Sequence, residues 1–175
     1  MVHRVKITVL GEPSVGKTSI VAKYCKDQFP TEHRATLGAD FTSKKIKYLG
    51  KNVELVIWDI AGTTSFEIDR MSDYYLQGSN GYFLVYDLTS QESLKMLAKW
   101  QEKAKRVCHG APFIILGNKN DLEEFIQKDV EYKDDLEMAK QLEIDSKIIQ
   151  TSAKTGENIE HAFVTLLEII WRDMI

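Results

Sequence analysis

Cysteine is scarce in this chain: Cys25 and Cys108 are the only two in 175 residues, and they do not form a C-x-x-C pair. A disulfide framework and a structural zinc site are therefore not expected, and each thiol reads as a small core or surface residue. Long apolar runs are also missing, since no stretch approaches the roughly 20 residues a membrane span needs. Net charge is small, −3, which argues against a nucleic-acid binder working through a broad basic face. Met1-Val2-His3-Arg4 leads into an apolar strand pattern and does not read as a signal peptide. Internal repeats, low-complexity segments and a second-domain boundary are lacking too. Residues 1–175 read as one domain with the 43% hydrophobic and 28% charged content of a soluble globular protein, and with few cysteines and neither span nor signal peptide the chain reads as cytoplasmic.

What is present centres on Gly11-Glu12-Pro13-Ser14-Val15-Gly16-Lys17-Thr18. This is a G-x-x-x-x-G-K-[ST] phosphate loop, preceded by the apolar run Val5–Leu10 and followed by the helix-compatible Ser19–Lys26. Strand, loop and helix in that order make the pattern a site. The loop N–H groups can curl around a phosphate, and the following helix adds its positive end. Lys17 would reach the β- and γ-phosphates, and the Thr18 hydroxyl would ligate Mg²⁺.

The remaining chain alternates extended and helical patterns. Residues 27–36 have no clean period and contain Pro30, so they read as a loop. Asp40–Tyr48 and Val53–Asp59 are expected to form a hairpin through a turn at Gly50-Lys51-Asn52. Thr63–Gln77 reads as a loop with a short irregular helix. Gly81–Asp87 and Pro112–Gly117 are continuous apolar strands. Ser90 should cap a helix running to Val107. Tyr132–Leu142 reads as a helix, Lys147–Gln150 as a short strand, and Glu157–Arg172 as a terminal helix with one broad apolar face. The expectation is an α/β fold: a six-stranded, mostly parallel sheet with one antiparallel strand and about five helices over both faces.

In such a sheet ligands bind at the carboxyl ends of the strands. The second hairpin strand delivers Asp59, placed to hold Mg²⁺ through water, and Gly62, whose N–H could meet a γ-phosphate. Phe113–Gly117 delivers Asn118-Lys119-Asn120-Asp121. The last short strand delivers Thr151-Ser152-Ala153-Lys154. A carboxylate at Asp121 can accept from guanine N1 and N2, a pairing adenine does not offer. The N–H after Ser152 would suit guanine O6, and the Lys119 stem can lie against the ring.

These motifs, in this order and over nearly the whole chain, resemble the Ras superfamily of small GTPases. The resemblance implies a P-loop NTPase G domain that binds GTP or GDP with Mg²⁺ and acts as a monomeric switch. It assigns nucleotide contacts to Ser14, Val15, Gly16, Lys17, Thr18, Ser19, Phe29, Thr36, Gly62, Asn118, Lys119, Asp121, Ser152, Ala153 and Lys154. Phe29 would stack on guanine, and Thr18, Thr36 and water-bridged Asp59 would hold the metal. Leu37-Gly38-Ala39-Asp40-Phe41, Trp58 before Asp59, Tyr74-Tyr75 and Tyr86-Asp87-Leu88-Thr89 are similar to the Rab branch. That likeness implies vesicle-trafficking control, with exchange factor, activating protein and effectors meeting the two switch segments. Phe41, Trp58 and Tyr74 would be the aromatic triad that effectors read; the alternative is an aromatic cluster that packs the sheet edge.

The chain also departs from the family. Thr63 stands where a Gln normally orients the attacking water, and a threonine lacks the amide's paired donor and acceptor. Pro13 replaces the usual glycine or serine, fixing φ and removing an N–H. With Lys17 and Gly62 as the other catalytic candidates, GTP hydrolysis is expected to be slow. The alternative is a pseudo-GTPase scaffold that holds guanine nucleotide without useful turnover; an ATP-using kinase is disfavoured by Asn118-Lys119-Asn120-Asp121. Rab proteins carry C-terminal cysteines for prenylation, and none lies near Asp173-Met174-Ile175. Either the natural protein continues past Ile175, or it ends differently, or it carries no lipid. Peripheral membrane attachment would need a lipidated tail absent from this chain.

Overall fold

The computed structural model describes residues 2–30, 35–62, 73–125 and 148–174. Six strands form one sheet in the order β2-β3-β1-β4-β5-β6. They are β1 (Val2–Leu10), β2 (Ala39–Tyr48), β3 (Lys51–Ile60), β4 (Gly81–Asp87), β5 (Phe113–Asn118) and β6 (Ile148–Gln150). β2 pairs antiparallel with β3, and the other four pairings are parallel. β4 is buried at every position, as a continuous apolar run in a sheet covered on both faces requires. β2 alternates half-buried and exposed residues along most of its length, the pattern of an edge strand with one wet face.

Three α-helices are bounded among the described residues: α1 (Lys17–Lys26), α2 (Gln91–Cys108) and α3 (Ile159–Asp173). A 3-10 helix covers Asn120–Phe125, and residues 73–76 are helical. α2 begins where the sequence indicates, because the Ser90 hydroxyl accepts from the Ser93 N–H at 3.2 Å and satisfies a first-turn donor. One apolar core lies between the sheet and α1 with α3, built on residues such as Ile7, Ile57, Phe83, Phe163 and Leu166. The opposite face packs Leu84, Tyr86, Leu94, Leu97 and Trp100 beneath α2. The two layers hold the sheet rigid while its carboxyl edge stays open. The register Val9↔Asp59 and Asp87↔Asn118 brings the ends of β1 and β3, and of β4 and β5, level at that edge.

Two local expectations are corrected. The hairpin turn is Leu49-Gly50, with Tyr48 opposite Lys51, not Gly50-Lys51-Asn52. Both turn residues take positive φ, 47° and 76°, which gives the tight two-residue loop whose twist matches the flanking strands. Leucine is sterically disfavoured there, so its identity gave no turn signal. The first helix begins at Lys17, two residues before its expected start, so Lys17 and Thr18 lie within its first turn. The expected helix Tyr132–Leu142, the start of the strand at Lys147, and Thr63 lie outside the described residues.

Candidate functional site

The carboxyl edge of the sheet opens into a cavity of about 680 Å³. One end of it is shaped by the loop between β1 and α1, where Ser14 and Gly16 both take positive φ, 63° and 98°. Left-handed residues set close together turn successive backbone N–H groups into one concavity. Lys17 is buried, and its Nζ donates to the carbonyls of Gly11 at 2.9 Å and Glu12 at 2.7 Å. Burial pushes its ammonium down to about 8, opposed by the carboxylates of Asp59 and Glu12. A buried cation lining the cavity beside N–H donors is suited to a polyphosphate.

Gly62, at the end of the segment leaving β3, lies against the same loop. A Cβ there would stand 2.4 Å from the Pro13 nitrogen and 2.5 Å from the Glu12 carbonyl carbon. Only glycine fits this approach, because both neighbours are backbone.

Three oxygen donors meet beside Lys17. Asp59 Oδ2 accepts from the Thr18 hydroxyl and, at 3.4 Å, from the Thr36 hydroxyl. Thr18 Oγ1 and Thr36 Oγ1 are 3.0 Å apart. Burial pushes the Asp59 carboxyl up, against the Thr18 hydrogen bond and the Lys17 charge, and its Oδ1 is buried with no hydrogen-bond partner. A desolvated carboxylate with an unused oxygen, flanked by two hydroxyls, fits a small hard dication such as Mg²⁺. These residues would hold the ion, which supplies charge neutralisation for phosphate oxygens when bound.

The far end of the cavity is built from β5 and β6. Asn118 is buried and ties two loops together: its Nδ2 donates to the Val15 carbonyl at 2.9 Å, and its Oδ1 accepts from Thr151 Oγ1 at 3.3 Å. Asp121 lines the cavity, and its Oδ1 accepts from Ser152 Oγ at 2.6 Å. Lys154 Nζ stands 3.7 Å from Asp121 Oδ2. These partners fix the plane of the carboxylate, leaving it able to accept from a heterocycle with two adjacent N–H donors. Phe29, 39% exposed, lines the same cavity.

Gly16, Ser19, Lys119 and Ala153 also line the cavity, whereas Val15 and Ser152 lie buried behind its wall. The Ala153 N–H, expected to suit guanine O6, donates to Asn118 Oδ1 at 3.2 Å. The two residues are 35 apart in sequence, and only the packing of β6 beside β5 brings them together.

Sequence reasoning did not assign a site role to Asp87. Its carboxylate pairs with Lys119 Nζ at 2.6 Å and accepts from the Thr89 N–H at 2.9 Å. The ammonium is thereby drawn aside while the residue still lines the cavity. The available signal was position, since Asp87 is the first charge after the apolar run of β4. Of the aromatic residues, Phe41 and Tyr74 are 65% and 71% exposed. Trp58 stands 5.5 Å from Phe41 and 5.7 Å from Tyr75, with Lys6 Nζ 4.7 Å over its ring. Tyr74 reaches this group through Tyr75, at 5.9 Å. The cluster therefore packs internally through Trp58 and Tyr75 while presenting Phe41 and Tyr74 to solvent.

A family model described as Ras family matches residues 6–172. Ras-related protein Rab-21 of Homo sapiens is 38% identical over 162 residues, covering 92% of this chain and 69% of that protein. GTP-binding protein ypt1 of Schizosaccharomyces pombe is 33% identical over 162 residues, covering 92% and 77%. Ras-related protein Rab-13 of Canis lupus familiaris is 30% identical over 165 residues, covering 94% and 78%. The match runs from within β1 to the end of α3 and so takes in every wall of the cavity, and on that ground the chain belongs to the Ras family of small GTPases, close to its Rab members.

Proposed function

We propose that this protein is a Rab-type guanine-nucleotide switch that retains GTP and hydrolyses it slowly. The observation that carries the reading is the convergence of Lys17 and Thr18, Asp59, and Asp121, from three separate segments, on one nucleotide-sized cavity and its edge. Asp121 would read guanine, the phosphate loop and Lys17 would hold the phosphates, and Thr18, Thr36 and Asp59 would hold Mg²⁺. Thr36 and Gly62 would order the two switch segments against a terminal phosphate, and hydrolysis would release both. Control of vesicle traffic, with an exchange factor, an activator and effectors docking near Phe41, Trp58 and Tyr74, follows from the Rab kinship. So does monomeric cytoplasmic action, peripheral on intracellular membranes if the full-length protein carries a lipidated tail. Among the described residues no helix is long and apolar enough to cross a membrane.

Denaturing the purified protein and identifying the released nucleotide tests the assignment. Guanine nucleotide is expected, and adenine nucleotide would overturn it. Slow turnover rests on Thr63, whose short hydroxyl lacks the amide's separate donor and acceptor atoms and so cannot hold water and γ-phosphate in the same geometry. It also rests on Pro13, whose missing N–H sits where Gly62 packs closest. In a single-turnover assay Thr63→Gln is expected to hydrolyse GTP about tenfold faster or more, since one restored water-orienting hydrogen bond of about 1.4 kcal/mol is a factor of about ten in rate. An unchanged rate would overturn Thr63 as the cause of slow turnover, and turnover measured with and without cell extract separates the switch from the second reading, a scaffold that binds nucleotide without useful turnover.

A further inference from the structure

Trp100 is 6% exposed on the inner face of α2, and its indole Nε1 donates to Glu12 Oε1 at 2.8 Å. The bond spans 88 residues and joins a helix outside the cavity to the phosphate loop itself. Glu12 is tied at its other end as well, because its carbonyl accepts from Lys17 Nζ at 2.7 Å. The Glu12–Pro13 peptide is therefore held by its side chain on one flank and by the lysine on the other. Gly62 packs against that same peptide with no room for even a methyl group.

The face of α2 that carries Trp100 also reaches Asp73. Arg106 Nη2 donates to Asp73 Oδ2 at 3.0 Å, Lys103 Nζ stands 3.8 Å from Asp73 Oδ1, and the same Nζ lies 5.9 Å over the Trp100 ring. One helix thus contacts both the phosphate loop, at Glu12, and Asp73. Pro13 has no N–H of its own to anchor the peptide, which leaves the side chain of Glu12 as its outward tether.

We propose that Trp100 is a positioning residue: through Glu12 it fixes the Glu12–Pro13 peptide, and with it Gly62, so that the site favours a nucleoside triphosphate over a diphosphate. The inference rests on the guanine-nucleotide reading of the cavity. A displaced peptide moves the Gly62 N–H away from the terminal phosphate, which only the triphosphate presents. The diphosphate, held by the rest of the loop and Lys17, is affected less.

The test compares dissociation constants for GTP and GDP, both with Mg²⁺, in the whole chain and in Trp100→Phe, Glu12→Ala, Glu12→Gln and the double variant Trp100→Phe/Glu12→Ala. Trp100→Phe and Glu12→Ala are each expected to lower the GTP-to-GDP affinity ratio about tenfold, the scale of one hydrogen bond to a charged group. The double variant should lose no more than either alone, since both remove one bond. Glu12→Gln, which keeps an acceptor oxygen, should hold most of the ratio. Equal losses for GTP and GDP, additive losses in the double variant, or a Glu12→Gln as impaired as Glu12→Ala would overturn the proposal. An unmodified protein that binds neither nucleotide would instead overturn the reading on which it rests.

Discussion

Lys17→Ala is expected to lower guanine-nucleotide affinity by roughly 10³-fold, because it removes one partner of a desolvated charge pair. The side chain is buried, donates to two loop carbonyls, and in the folded protein without nucleotide has its ammonium held at about 8 instead of 10.5. The sign of the linkage is fixed by that depression. Between those pH values the folded protein binds fewer protons than the unfolded chain, so stability rises with pH across the window. Below the folded value the buried charge is retained at a cost of roughly 3 kcal/mol. A bound polyphosphate offsets this cost only when the ammonium is charged. Nucleotide affinity should therefore fall about fourfold from pH 7 to pH 8.5, as the free protein loses the Lys17 proton. That range lies below the one in which guanine loses its own N1 proton. Titration calorimetry at several pH values checks both expectations together: the Lys17→Ala profile should be weak and flat. A steep profile in that variant would assign the titration to another group.

Asp121→Asn is expected to cost roughly 10²-fold or more in guanine-nucleotide affinity, the scale of leaving buried polar groups mispaired. The carboxylate offers two acceptors to the adjacent N1–H and N2–H of guanine, and an amide replaces one acceptor with a donor. Xanthine carries a carbonyl where guanine has its amino group, so the variant should prefer xanthosine nucleotides to guanosine ones. Ser152 Oγ can still donate to the amide oxygen, so its 2.6 Å contact does not require the charge. Losing the 3.7 Å pair with Lys154, whose side chain is 63% exposed, should change stability little. A competition assay among guanosine, xanthosine and adenosine diphosphates, with a melting curve alongside, reads the result. Unchanged guanosine preference in a folded variant would remove Asp121 from base recognition.

Much of this was legible because the relevant signals are local. The apolar run Gly81–Asp87 marks β4 at its observed limits, since a strand buried on both faces leaves no freedom in pattern. Ser90 marks the start of α2, because a hydroxyl that can accept from the third N–H of a helix identifies its own position. The turn at Leu49-Gly50 was displaced by one residue for the converse reason. A leucine can be forced into positive φ by the pairing of the strands around it, and nothing in its side chain advertises this.

What the chain determined by itself is which residue types stand at the ends of the strands: a G-x-x-x-x-G-K-[ST] loop after β1, a carboxylate near the end of β3, and Asn118-Lys119-Asn120-Asp121 and Ser152-Ala153-Lys154 at the ends of β5 and β6. Each is a short motif whose residue types carry their own function. Only the tertiary structure decided how those motifs are held. The Asn118 bond to the Val15 carbonyl spans 103 residues, the Trp100 bond to Glu12 spans 88, and the Ala153 N–H goes to Asn118. These bonds depend on the order β2-β3-β1-β4-β5-β6 and on which helix covers which face. Side-chain hydrogen bonds act over about 3 Å, so which distant residues form them is settled only once the sheet and its helices have packed.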